Sequence, residues 1–452
     1  MKIDMPEAAS FIIQTLTEHG FEAYIVGGCV RDSLLGAEPK DWDITTSASP
    51  AEVKSLFPRT IDTGIEHGTV TVLMGKEPYE VTTYRVDGKY EDHRRPTEVT
   101  FTKSLKEDLL RRDFTINAMA YNDREGLVDL YGGVEDLEKG MIRCVGVATQ
   151  RFDEDALRIL RALRFAARLD FQIEESTRQA MIEKKEFLGQ ISAERIREEL
   201  TKILTSPHPE LLLTAYEFGI TNIILPEWDR MMETSQNNPH HKYSVGMHTL
   251  VGIQEVAPTV VLRYTMLLHD TGKPDCKTTD ADGIDHFKKH PLRSKEIARL
   301  VLRRLKFDND TLKKVSTLVE WHDWRFMSQK EINKKSIRRL ANKIGVDSCY
   351  QLFEVQKADI LAQSDYQQEE KLTILKQTKK LLDEVVEAEE CLTLKDLKIN
   401  GKDLIAMGIA PGKEIGRILN GLLKEVLENP ELNDRDILLE KVKMIKPVET
   451  CD

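Results

Sequence analysis

Two hydrophobic rhythms divide this chain. Up to about residue 145, short β-branched and apolar runs (AYIVGG, WDITT, GTVTVLM, YEVTTYR, EVTF) alternate with helical segments, which predicts one mixed α/β domain. From about residue 150 the strand pattern vanishes. EDALRILRALRFAARL and SAERIREELTKIL repeat apolar residues three and four apart, as amphipathic helices do. Breaks fall near TSPHPE, near SQNNPHH and at the start of LTLKDLKING. The expected fold class is α+β, a small mixed domain leading a long helical body.

Composition narrows the setting. The chain has 452 residues, 40% hydrophobic and 31% charged, as in soluble globular proteins. No apolar run reaches membrane length, and MKIDMPEAAS lacks a signal-peptide pattern. The six cysteines are scattered without a CxxC pair, so they read as reduced thiols in a cytoplasmic protein. The net charge of −11 argues mildly against a nucleic-acid partner, but local basic clusters decide that question.

Five stretches carry candidate chemistry. In YIVGGCVRDSLLG a strand runs into a helix through Gly27 and Gly28. The missing Cβ atoms, the helix amino terminus and Arg31 would let a phosphate approach. In KDWDITT, Asp41 and Asp43 alternate onto one strand face, where a divalent cation would relieve their repulsion; an acidic turn is the plainer reading of that stretch alone. Glu80, in YEVTTYR, is either a third carboxylate or an exposed glutamate. In RRDFTINAM, Arg111 and Arg112 could clamp a triphosphate, with Asp113 capping the next segment or orienting Arg112. In EDALRILRALR the polar ridge on a helix would bring Asp155, Arg158 and Arg161 into one pocket, with Arg164 further round.

Together with VDLYGG and ISAERIREEL, these motifs resemble, in order and spacing, the class II tRNA nucleotidyltransferases. Those are the CCA-adding enzymes, relatives of bacterial poly(A) polymerase. The resemblance implies a head of the DNA polymerase beta type (1–145), a helical neck and body (146–235), an HD domain (236–370) and a tRNA-binding tail (371–452). It implies Mg2+ on Asp41 and Asp43, with Glu80 less certain. Nucleotide contacts would come from Gly27, Gly28, Arg31, Arg112, Asp113 and Asn117. Asp155 and Arg158 would read the base of CTP or ATP, and Arg161 and Arg164 would complete the pocket. The expected partners are tRNA, CTP and ATP, with no membrane, for a monomer or homodimer. The loop from Asp87 to Pro96 favours full CCA addition over CC-only addition and leaves A-only addition open; the neutral-to-acidic end, KMIKPVETCD, counts against a poly(A) polymerase.

The middle of the chain resembles an HD domain. His248, His269, Asp270 and Asp359 match its signature, and His290 and His322 match the extra ligands of two-metal versions. A second divalent metal site follows, with hydrolysis of phosphorylated RNA ends as an alternative or additional activity.

Overall fold

The computed structural model describes residues 2–88 and 99–445. It divides into two compact units, Met1–Asp229 with Arg304–Lys306, and Arg230–Arg303 with Phe307–Asp452.

The first unit is built on a seven-stranded sheet. Its strands are β1 (Ala23–Val26), β2 (Ile44–Thr46), β3 (Thr60–Gly64), β4 (Thr69–Met74) and β5 (Glu77–Thr83). A separate ribbon, β6 (Arg85–Asp87) with β7 (Val99–Phe101), precedes β8 (Met119–Asn122) and β9 (Gly126–Asp129). The sheet order is β3-β4-β5-β2-β1-β8-β9. β2 runs parallel to β5 and antiparallel to β1, so the segments entering β2 and leaving β1 meet at one end of the sheet. Every residue of β1, β2 and β8 is buried, as central strands require.

The helical half of this unit packs Leu157–Leu169 against Ala193–Leu204. Leu160, Leu163 and Ala166 on one helix and Leu200, Ile203 and Leu204 on the other are buried. Each such leucine or isoleucine stabilises by about 1.5–3 kcal/mol. The expected helix through EDALRILRALRF is interrupted, however. One helix ends at Glu154 and the next begins at Leu157, with Asp155 in extended backbone between them. Strands also persist beyond residue 150, as Gln172–Ile173 and the pair Thr278–Thr279 with Asp285–His286. Two-residue ladders are too short to leave an alternating pattern.

Among its described residues the second unit is helical apart from that last pair of strands. Val245–Glu255 lies on Val346–Ala362, and Val260–Leu268 lies on Asn309–Trp321. A continuous apolar core runs from Leu318 to Val442, through Leu352, Leu382 and Leu422. It carries packing across the expected HD–tail boundary at residue 370. Near the histidines, Gly272 donates its N–H to Ser294 Oγ at 2.9 Å. A Cβ at Gly272 would meet Ser294 N at 2.5 Å and His290 O at 2.7 Å. Gly272→Ala is therefore expected to push the helix beginning at His290 outward and destabilise this unit by about 1–3 kcal/mol. A lower unfolding transition in a thermal melt would register it, and an unchanged melt would refute the packing argument.

Candidate active site

β1 is followed by Gly27, whose φ of +80° suits glycine and lets the chain turn into the helix Gly28–Leu34. A Cβ there would sit 3.1 Å from the Arg112 guanidinium, so the missing side chain also makes room for that cation. Arg31, on the helix, is buried. It donates to Asn117 Oδ1 at 2.5 Å and to Asp32 Oδ1 at 2.8 and 2.6 Å. Asn117 in turn donates to Asp113 Oδ1 at 3.1 Å, and Phe114 N donates to the same oxygen at 2.9 Å. The other Asp113 oxygen accepts from Arg161, at 2.8 Å from Nε. Burial would raise the Asp113 pKa, but Arg161 and the Asn117 hydrogen bond outweigh it and hold the carboxyl below its usual range.

Asp113 accepts from the adjacent Phe114 N but does not cap the turn Thr115–Asn117, whose N-cap is Phe114, and it holds Arg161 rather than Arg112. Arg112 belongs to Asp108, a carboxylate that the sequence reading passed over. Asp108 is fully buried, 2.7 Å from Arg111 and 3.3 Å from Arg112. Its low-propensity position in an ordinary helical run, SLKEDLLRR, gave no signal beyond i,i+3 and i,i+4 spacing to the two arginines.

A cavity of about 650 Å³ gathers Gly27, Gly28, Arg31, Arg112, Asp113, Asn117, Arg161 and Arg164. Phe165, Arg168, Lys40 and Lys202 line it too, and none of them was singled out from sequence. The Arg164 guanidinium lies 4.2 Å from the Phe165 ring centroid, with Arg31 at 5.1 Å and Arg161 at 5.5 Å. Burial, then repulsion from Arg161, lowers the Arg164 pKa to about 10. The arginine remains charged at neutral pH.

Asp155 and Arg158 lie off this lining, which corrects the expectation of one shared pocket with Arg161. The helix break turns Asp155 toward Arg195, at 2.6 Å, and toward its own cap at Leu157 N. Arg158 is buried against Glu154 at 2.5 Å and the Arg111 carbonyl at 2.9 Å.

Asp41, Asp43 and Glu80 line a neighbouring cavity of about 790 Å³ with Trp42 and Tyr79; Asp43 and Lys40 face both cavities. Asp41 and Asp43 precede β2 instead of lying on it, although Val26 N still pairs with the Asp43 carbonyl. Burial raises the Asp43 pKa first; Glu80 and Asp41 push it further up, against the pull of Arg112. Three carboxylates repelling one another beside a basic cavity fit a hard divalent cation such as magnesium.

The second unit holds a separate centre. His248, His269 and Asp359 present ligand atoms within 4.8 Å of one another, and Asp270, His290 and His322 do the same. Asp270 stands between the groups. Its Oδ2 is 3.2 Å from His269 Nε2, and its Oδ1 is 3.3 Å from His290 Nε2. Each imidazole turns Nδ1 to a backbone carbonyl: His248 to Ala362 at 3.2 Å, His269 to Met266 at 2.7 Å, His290 to Phe287 at 2.8 Å and His322 to Val319 at 2.7 Å. Those carbonyls select the tautomer with a lone pair on Nε2. His290 Nε2 and His322 Nε2 then face each other at 3.1 Å, and His248 Nε2 faces Asp359 Oδ1 at 2.9 Å, acceptor against acceptor. Burial and the neighbouring His269 and His290 push His322 down to about 3, so it stays neutral. His269 Nε2 and both Asp270 oxygens are buried without a well-formed hydrogen bond, although Lys273 Nζ lies 2.7 Å from Asp270 Oδ2 and Asp270 favours the charged form of His269. A divalent metal pair supplies what this donor set lacks. His240, His241 and His286 fall outside both groups.

Fold and first site together define a nucleotidyltransferase. Residues 23–143 match the Poly A polymerase head domain, 170–232 the "Probable RNA and SrmB- binding site of polymerase A", and 291–442 a tRNA nucleotidyltransferase domain 2. The chain is 35% identical to the CCA-adding enzyme of Ligilactobacillus salivarius, over 96% of this chain and 95% of that one. It is 36% identical to that of Lactococcus lactis subsp. cremoris over 99% and 100%. It belongs to the CCA-adding enzyme family, whose members are tRNA nucleotidyltransferases. A stronger match, 54% identity to the CCA-adding enzyme of Lactiplantibacillus plantarum, is confined to 46% of this chain and spans about half, 51%, of that relative. The crystal structure of the Bacillus stearothermophilus CCA-adding enzyme in complex with CTP is similar at 28% identity and a TM-score of 0.73, covering 98% of this chain and 99% of that one.

Removing the Asp108 carboxylate would strand two cations. Asp108→Ala is expected to destabilise the first unit by about 3–5 kcal/mol in urea unfolding. The pH dependence follows from the lowered pKa values of Asp108 and Asp113, below the ordinary 3.8. Their stabilisation is complete above about pH 4 and is lost as pH falls through the lower folded values. Asp108→Ala should flatten that acid limb; an unchanged slope would count against the pairing.

Proposed function

We propose that this protein adds CCA to the 3′ end of tRNA from CTP and ATP, releasing pyrophosphate. The observation that carries this is the carboxylate trio Asp41, Asp43 and Glu80 on the border of a cavity lined by seven basic side chains. End-to-end similarity to CCA-adding enzymes supports it.

The acceptor 3′-hydroxyl forms the new bond to the α-phosphorus, and the bond to the β-phosphate oxygen breaks. Bound at the three carboxylates, Mg2+ would lower the barrier by neutralising charge on the reacting oxygens. Arg31, Arg112, Arg161 and Arg164 provide the donors that orient the triphosphate; Asp108 and Asp113 fix Arg112 and Arg161 in place. Gly27 and Gly28 leave the backbone open to a phosphate. Asp155 and Arg158 remain the proposed base-reading pair, on a condition: Asp155 must share or release Arg195, and Arg158 must share or release Glu154. The loop from Asp87 to Pro96, on which full CCA addition was favoured, lies almost wholly outside the described residues. Addition of the final A therefore rests on the family. Among the described residues no helix is long and apolar enough to cross a membrane.

The test uses tRNA ending at the discriminator base. CTP alone should extend it by two nucleotides, and CTP with ATP by three. Asp41→Ala and Asp43→Ala should each slow incorporation by about 10²–10³-fold or more. A long adenylate ladder would favour a poly(A) polymerase, A addition only to tRNA already ending in CC would favour an A-adding enzyme, and no incorporation would overturn the reading.

For the second unit we infer a two-metal phosphohydrolase site, on the strength of the facing acceptor atoms of His290 and His322. In a chain carrying Asp41→Ala and Asp43→Ala, which removes the carboxylate pair of the first unit, equilibrium dialysis against Mn2+ should give about two ions per chain, and adding His290→Ala and His322→Ala should leave about one. At a hundredfold excess over Kd the metal should raise stability by about 2.7 kcal/mol. Absence of Mn2+ binding would sink this reading.

A further inference from the structure

The cavity of about 790 Å³ beside the basic one holds more than the three carboxylates. Its charged lining is Asp41, Asp43, Glu77 and Glu80 against Lys40. That balance repels a phosphodiester backbone. The rest of its wall is uncharged: two aromatic rings, Trp42 and Tyr79, two prolines, Pro6 and Pro78, and Thr71.

Sheet register brings the two rings to one place. Ile44 on β2 pairs with Val81 on the parallel strand β5. Trp42 and Tyr79 each stand two residues upstream of that pair, so they reach the same end of the sheet. Tyr79 is 5% exposed, and its hydroxyl donates to Glu77 Oε2 at 3.1 Å, which leaves the ring as part of the wall. Trp42 is half-buried, whereas Trp228 is fully buried and Trp321 and Trp324 pack on the core of the second unit. An indole placed between two carboxylates on a cavity wall offers a flat face that the core does not use.

We propose that Trp42 is the platform on which the terminal base of the RNA acceptor stacks, with Tyr79 and Pro78 completing the wall around it. This deepens the CCA-adding reading and rests on it. The triphosphate takes the basic cavity, and the acceptor end takes the neighbouring one, which meets it at Lys40 and Asp43. In so acidic a surround the uncharged base is the part of an RNA end that gains from burial, while the backbone stays in water. Stacking also suits repeated addition. After each step a new base is terminal, the discriminator base first and a cytosine afterwards. A site built on hydrogen bonds to one base would reject the others. A π-face accepts them all. Held on the indole, the base sets its ribose so that the 3′-hydroxyl borders Asp41 and Asp43.

The test uses the full chain, Mg2+ and CTP with two acceptors: tRNA ending at the discriminator base, and the same tRNA with that last nucleotide abasic. For the wild-type chain, loss of the base should lower kcat/KM for the acceptor by roughly tenfold. Trp42→Ala should lower it by a similar factor on the intact tRNA and by less than about twofold on the abasic one. Trp42→Leu, which keeps apolar bulk without a ring, should match Trp42→Ala and completes the comparison where the alanine chain folds poorly. Trp42→Phe should recover most of the loss. KM for CTP and the Mg2+ concentration giving half the maximal rate should be the same in every chain. Equal losses on both acceptors, or a wild-type chain indifferent to the missing base, overturn the platform and leave Trp42 as packing for Asp41 and Asp43. No incorporation by the wild-type chain on the intact tRNA overturns the CCA-adding reading beneath it.

Discussion

Asp113 follows the arginine pair in the sheet domain, Arg161 lies on the helix Leu157–Leu169, and their ion pair joins the two halves of the first unit. The carboxylate is buried and accepts from Phe114 N and Asn117 as well, so its lone pairs are largely used. Asn117 carries the connection to Arg31, and Arg31 to Asp32, which also accepts from Arg168 at 3.1 Å. The chain of charge-assisted bonds fixes the spacing of cations that would otherwise repel one another. Replacing such a network with apolar residues could stabilise the fold, since desolvating ions is costly. Its value lies in holding Arg161 and Arg31 at set positions on a cavity wall.

The same economy of lone pairs and protons shapes the second unit, with opposite sign. In the first site, guanidinium groups gather, and carboxylates behind them absorb part of the charge. In the second, backbone carbonyls take the Nδ1 protons of four histidines and leave Nε2 acceptors facing one another and two aspartates. The first calls for an anion, the second for cations. Both follow from backbone geometry: helix ends present His269 and His322, and a helix start presents His290.

Much of this was legible in the sequence because short motifs fix local geometry. The glycine pair, the DWD carboxylates and RRD were legible as a set in order, although Asp41 and Asp43 lie before the strand and Asp113 pairs with Arg161. The HD set was legible because His248, His269, Asp270 and Asp359 match a known signature in order, and the structure brings them within reach of one another. The pocket place of Asp155 and Arg158 was misread because the reading assumed an unbroken helix. One residue of extended backbone at Asp155 rotates everything before it. Asp108 and Phe165 were missed for another reason. Their roles are to hold neighbouring arginines, and a buried carboxylate or a core phenylalanine has no distinctive spacing.

The overall charge of −11 and the expected RNA partner are reconciled by the cavity itself. Seven basic side chains and two carboxylates line it, so the local field is positive on an acidic protein. Asp32, Asp108 and Glu199 each neutralise arginines at its edge or behind it, which limits non-specific attraction while leaving donors directed inward. Beside it, Asp41, Asp43 and Glu80 make the adjoining cavity negative until a divalent cation enters. The two cavities meet at Lys40 and Asp43, so a cation held at the carboxylates would lower the repulsion between those side chains and any polyanion brought beside the basic cavity.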